Sequence, residues 1–128
     1  MLFTILSTIV IACSAAYLGP TSSPGDMNEG MAVYYSDAFQ GDRTASGERY
    51  DKGQLTAAHR TLPFGTVVRV TSLVNRRAVE VRINDRGPYS HKERIIDLSR
   101  KAAERLDMIS AGIIPVRVEI VSLPGGKE

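Results

Sequence analysis

Val79-Glu80-Val81-Arg82-Ile83-Asn84-Asp85-Arg86-Gly87-Pro88 is the stretch that decides the fold. Val79, Val81 and Ile83 alternate with Glu80 and Arg82. That period of two belongs to a strand with one face in a core and the other in water. The run then breaks at Arg86-Gly87-Pro88, leaving Asp85 at the end of the strand. The same alternation recurs elsewhere. Val68 and Val70 alternate with Arg69 and Thr71, and Val116, Val118 and Ile120 with Arg117 and Glu119. Residues 31–36 and 95–98 supply two further strands and residues 55–58 a shorter one. Asn75-Arg76-Arg77 joins two of the clearest runs as a hairpin turn, in which Asn75 is suited to a left-handed backbone. One helix is expected over residues 100–106, capped by the Ser99 hydroxyl, with Ala102, Ala103 and Leu106 as the apolar stripe that covers the sheet. Six short strands and one short helix in residues 30–122 describe a mainly β domain, a small six-stranded barrel. No internal repeat is visible.

Composition narrows the function. The chain has 128 residues, 43% hydrophobic and 23% charged, with a net charge of +2, which suits one ordinary globular domain. No Lys/Arg cluster of the kind that follows a phosphate backbone occurs, so nucleic acid is not the expected partner. No His/Asp/Glu grouping has metal-ligand spacing, and neither metal nor cofactor is expected. The single cysteine, Cys13, precedes the domain, which excludes an intramolecular disulfide and a cysteine-built zinc site.

Residues 1–18 carry no charged side chain, and residues 2–12 are strongly apolar. A hydrophobic stretch of that length fits a signal peptide, whereas eighteen helical residues span about 27 Å against a bilayer core of about 30 Å. Val10-Ile11-Ala12-Cys13 resembles the lipobox of bacterial lipoproteins, in which the cysteine becomes the lipidated first residue of the mature chain. Residues 1–12 then read as a signal peptide. The stretch is short and lacks Lys or Arg, so an uncleaved anchor and plain secretion stay open as alternatives. Residues 13–29, rich in Ser, Gly and Pro, read as a tether with a reach of about 20–24 Å, and residues 123–128 as a tail. The expected location is the cell envelope, lipid-anchored to the outer or cytoplasmic membrane on the periplasmic side.

Four stretches carry polar residues beyond what the strands need: residues 44–51 (TASGERYD), 57–66 (AAHRTLPFGT), 84–89 (NDRGPY) and 95–99 (IIDLS). With Tyr34-Tyr35 upstream, their order and spacing resemble the rare lipoprotein A (RlpA) family of double-psi β-barrel domains. The resemblance covers about residues 30–122 and implies a lytic transglycosylase. Such an enzyme cuts peptide-poor glycan strands of peptidoglycan between N-acetylmuramic acid and N-acetylglucosamine and leaves 1,6-anhydro ends. Matched motif by motif, it implies that Asp85 is catalytic and that Glu48, Asp51 and His59 line or support the sugar groove. It also implies division or wall-remodelling proteins as partners. Family members often carry a C-terminal peptidoglycan-binding repeat domain (SPOR), while this sequence ends at Glu128. Arg76 and Asp107 stand where the family often has glycine.

The chemistry is coherent with one tunable carboxyl. Breaking a glycosidic bond needs an acid to protonate the leaving oxygen through an oxocarbenium-like transition state. The substrate's own C6 hydroxyl can then attack, so no enzymic base need activate water. Bland roles compete at each position: Asp85 as a turn former, Glu48 and Asp51 as a solvated pair, His59 as a hydrogen-bonded structural residue. Asp97, pointing away from Ile96 and Leu98, reads as support below the site, and His91 as a solvated loop residue. Tyr34, Tyr35 and Tyr50 are candidates for stacking on sugars or for packing. Two other functions stay open: a module that binds peptidoglycan without cutting it, and an endoglucanase-like hydrolase with paired carboxylates.

Overall fold

The computed structural model describes residues 21–125. The signal peptide of residues 1–12, the lipidation site Cys13, the tether up to residue 20 and the last residues of the tail lie outside the described residues.

Six strands and one helix form, as the alternation requires: β1 (Met27–Tyr34), β2 (Thr56–Ala58), β3 (Val67–Ser72), β4 (Ala78–Asp85), β5 (Arg94–Leu98), α1 (Arg100–Arg105) and β6 (Ile114–Ser122). The strands close into a barrel in the order β1-β5-β2-β4-β3-β6. Two pairs are parallel, β1 with β5 and β2 with β4, and the remaining neighbours are antiparallel. This is the double-psi topology. Adding three to every strand number maps the barrel onto itself, so the first three strands and the last three are related by an internal two-fold axis.

The inward residues of the alternating runs make the core. Val68, Val70, Val81, Ile83, Val116, Val118 and Ile120 are essentially fully buried and meet Ala32, Ile96 and Leu98 from the parallel strands. At about 25 cal/mol per Å² of apolar surface, this burial is the main force closing the barrel. Helix α1 begins where Ser99 accepts a hydrogen bond from the Ala102 amide, and it lays Ala102, Ala103 and Leu106 over the core. Gly30 is needed beneath this packing, since a Cβ there would lie 2.7 Å from Ile95 Cγ2.

Three local readings are corrected. Residues 27–29 belong to the barrel rather than the tether, because Met27, Asn28 and Glu29 pair with Glu119, Val118 and Arg117 of β6. Strand β1 ends at Tyr34, and Ser36 instead caps a 3-10 turn over Asp37–Phe39. In the β3–β4 hairpin, Arg76 adopts the left-handed backbone (φ 67°). Asn75 acts through its side chain instead, accepting from the Arg77 amide and donating to the Leu106 carbonyl. Asp107, after α1, also has a positive φ of 57°. Both positions where the family often has glycine are thus the ones whose backbone favours it.

Replacing Arg76 by glycine removes a left-handed cost of about 1–2 kcal/mol, partly offset by a more flexible unfolded chain. The Arg76→Gly variant is expected to be about 0.5–1 kcal/mol more stable in urea melts, with an unchanged m value.

Candidate active site

A cleft of about 390 Å³ opens at the end of the barrel where β1 and β4 finish, and Tyr35, Phe39, Thr44, Asp85 and Asp97 line it. The placing of Asp85 and Asp97 follows from strand register. Ala58 of β2 pairs with Asp97 of β5 on one side and with Asp85 of β4 on the other. Two inter-strand spacings put the aspartate Cα atoms roughly 9–10 Å apart, and the intervening side chain is a single methyl group. The register also shifts here: Ala57 pairs with Ile83 but Ala58 with Asp85, so Asn84 is an extra residue in β4. Such a bulge re-aims the side chain that follows it.

The two carboxyls have different surroundings. Asp85 Oδ2 accepts a short hydrogen bond from the Tyr35 hydroxyl, and Oδ1 accepts from the backbone amides of Ala45 (2.8 Å) and Arg86 (2.9 Å). Burial first, and then the neighbouring Asp85, push the Tyr35 phenol far above its usual range, so it remains a donor. Asp97 has no such set of donors. Burial, reinforced by the charge of Asp85 and opposed by Arg94, raises its pKa to about 6. Asp97 therefore forms part of the cleft wall rather than a support beneath it. A lone carboxyl within Ile95-Ile96-Asp97-Leu98 was the available sign.

Aromatic side chains build the other wall. Tyr35 stacks on Tyr50 at 4.3 Å between ring centroids and meets the edge of Phe39 at 5.9 Å. Tyr50 is 2% exposed and is a packing residue, its hydroxyl accepting from the Arg100 amide. Tyr34 likewise donates to the Ile109 carbonyl. Phe39, 49% exposed on the cleft, is the ring that presents itself to a ligand. Nothing in its sequence surroundings singled it out.

Glu48, Asp51 and His59 stand outside the cleft lining. Glu48 grips Arg82 through both oxygens (2.7 and 3.0 Å) and accepts from Asn84 Nδ2 at 3.0 Å, contacts that hold its pKa below the usual carboxylate range. This clamp fixes the 44–48 loop on β4 and so presents the Ala45 amide to Asp85. Asp51 is exposed and accepts from the Gly53 amide, which lowers its pKa. His59 is 5% exposed, and its Nδ1 accepts from the amides of Thr61 and Leu62. Burial, with Arg86 and Arg60 adding, depresses its pKa to about 4. It touches Asp85 only through the backbone, its amide donating to the Asp85 carbonyl. His91 is exposed, as expected.

Arg60, which the sequence reading passed over, ties down the segment between the two aspartates. It donates to the carbonyls of Pro88, His91 and Arg94, each at 2.6 Å. Arg86 lies 4.0 Å from the centre of the Phe64 ring and donates to the Leu62 carbonyl at 2.8 Å.

Because His59 is held neutral, the unfolded chain binds its proton more readily between pH 6.5 and about 4. Its contribution to stability is complete above that window and is lost as pH falls through it. Asp97 has the opposite sign: the folded chain binds its proton more readily between pH 3.8 and about 6, so stability falls as pH rises through that range. Asp97→Asn is accordingly expected to stabilise the protein at pH 7.5 by about 1–2 kcal/mol, discounted for a partly solvated group, and by much less at pH 3.5. Urea melts at the two pH values measure the difference.

A family model described as lytic transglycolase matches residues 27–118. The endolytic peptidoglycan transglycosylase RlpA of Campylobacter jejuni is 50% identical over 97 residues, covering 76% of this chain and 35% of that protein. The probable endolytic peptidoglycan transglycosylase RlpA of Treponema pallidum is 57% identical over 90 residues, covering 70% of this chain and 28% of that protein. The chain thus spans about a third of the length of these curated relatives. Among solved structures, the Streptomyces papain inhibitor superposes with a TM-score of 0.63 at 26% identity, covering 77% of this chain and 97% of that one. An expansin of Clavibacter michiganensis superposes at 0.61 with 25% identity, covering 78% of this chain and 52% of that one. With a match that runs from β1 into β6 and includes Asp85 and Asp97, the chain belongs to the lytic transglycolase family, with an RlpA-like double-psi β-barrel as its fold.

Proposed function

We propose that this domain is an endolytic peptidoglycan transglycosylase that cuts the bond between N-acetylmuramic acid and N-acetylglucosamine and leaves 1,6-anhydro ends. The observation that carries the reading is the unequal carboxyl pair flanking Ala58: Asp97 with a pKa raised to about 6, Asp85 facing three donors. A family match and relatives named for this activity support it.

The unequal pair divides the labour that the sequence reading placed on Asp85 alone. Asp97 gives its proton to the glycosidic oxygen as the bond to the anomeric carbon breaks. Asp85 faces the positive charge that develops on the sugar, held in place by Tyr35, Ala45 and Arg86. The C6 hydroxyl of the same sugar attacks the anomeric carbon, and its proton passes to Asp97, restoring the acid. Atoms balance without water. Phe39 supplies an apolar face for a sugar ring. Glu48 and His59 support the site by fixing the loops around Asp85. In this reading Cys13 carries the lipid that holds the domain at the cell envelope, and radiolabelled lipid on the parent but not on Cys13→Ser tests that anchor.

Mass spectrometry of peptide-free glycan after incubation decides the reaction. Anhydro-ended fragments are expected. Products one water heavier would make the domain a hydrolase, and uncut strands that still bind it would make it a binding module. Asp97→Asn and Asp85→Asn are each expected to lower kcat at least about a hundredfold. The parent's rate should fall as pH rises through about 6, where Asp97 loses its proton. Tyr35→Phe removes one donor from Asp85 and is expected to cost about tenfold in kcat with little change in KM.

A further inference from the structure

A second depression, of about 410 Å³, lies beside the cleft, lined by Lys52, Gly53, Arg100, Lys101 and Glu104. The 3-10 turn at Asp37–Phe39 is the wall between the two. Ser36 and Phe39 face the cleft, while the Asp37 carboxylate reaches Lys52 at 3.8 Å and Arg100 at 3.6 Å. Both contacts are longer than hydrogen bonds and join partly exposed groups, and Arg100 pairs with Glu104 at 3.3 Å as well, so Lys52 is the cation that a stronger acceptor can take over. Lys101 takes part in no ion pair among the described residues. The cleft itself sets Asp42, Asp85 and Asp97 against Arg43 and Arg86, whereas the recess sets Lys52, Arg100 and Lys101 against Glu104 alone and is the more cationic of the two surfaces.

We propose that this recess is a carboxylate subsite that extends the groove past Phe39 and holds the strand by Lys52 and Lys101. The inference rests on the peptidoglycan reading, because such a strand carries a carboxyl on every muramic acid. That carboxyl is free as a lactyl group or replaced by a peptide with carboxylates of its own. An enzyme that cuts within a strand must hold sugars on both sides of the broken bond. The turn separating cleft from recess is only three residues long, and the Arg100 amide already bonds to Tyr50 on the cleft side.

The test measures binding by fluorescence anisotropy of end-labelled glycan in three forms: peptide-free, peptide-free with the lactyl carboxyls reduced to alcohols, and peptide-bearing. The parent is expected to bind a carboxylate-bearing form about fivefold more tightly than the reduced one. Lys52→Gln/Lys101→Gln should bind the two alike, Lys101→Glu should bind the carboxylate form still more weakly, and about 0.5 M salt should erase the differences. A parent–variant gap confined to peptide-bearing strands keeps the subsite and assigns its carboxylate to the peptide. Equal binding of carboxylate strands by parent and double variant, or an equal gap on reduced strands, overturns it. Cleavage products scored in the same samples separate the two readings. A lost gap with cutting retained refutes the recess alone, and a retained gap without cutting by the parent refutes the transglycosylase and leaves the recess.

Discussion

Ala58 is the constraint on which the site depends: a methyl group on a three-residue strand, hydrogen-bonded on one side to the strand bearing Asp85 and on the other to the strand bearing Asp97. A barrel of mixed strands allows this because β2 runs parallel to β4 and antiparallel to β5, which brings two chain segments to one row at one end. The row works only with a small residue in its middle. Ala58 is 1% exposed, so a larger side chain there would have to displace its packed neighbours.

The row also brings together two aspartates with different surroundings. Burial, reinforced by the charge of Asp85, raises the cost of ionising Asp97. The donors are placed asymmetrically. Tyr35 and the two amides converge on Asp85, while Asp97, partly buried and without comparable donors, has its pKa raised to about 6. The asymmetry is built from parts far apart in the chain. The Ala45 amide is positioned by the Glu48 clamp on Arg82 and Asn84, and the segment leading to Asp97 is positioned by Arg60. Polar residues that never enter the cleft thereby set its electrostatics.

The aromatic wall follows the same logic. Tyr35 is at once the donor to Asp85 and the middle ring of a three-ring cluster, so stacking on Tyr50 fixes where its hydroxyl points. Tyr50 gives up exposure to serve this packing, and Phe39 at the outer edge keeps it. The short turn that carries Phe39 separates a cleft of mixed charge from a more basic recess. The surface therefore becomes more positive across one turn, a gradient that orients a charged polymer.

The strands, the helix and the position of Asp85 at a strand end were legible in the sequence because each depends on local rules: alternation of Val79, Val81 and Ile83, the Ser99 cap, and a Gly-Pro break. The strain at Arg76 and Asp107 was half legible, visible as departures from glycine but without a backbone angle to explain them. What the sequence could not settle was which side of each polar residue faces what. Glu48 and Asp51 look like a pair on paper, yet one clamps Arg82 and the other closes a turn with Gly53. His59 reads equally as a groove residue or a structural one, yet its ring is spent on the amides of Thr61 and Leu62. Asp97 looked like a support, yet closure of the barrel set it beside Asp85 across Ala58. Periodicity is a property of neighbours in the chain, so residues alone determine it. The meeting of positions 35, 45, 58, 85 and 97 is a property of strand register around a closed barrel, and only the folded chain decides it.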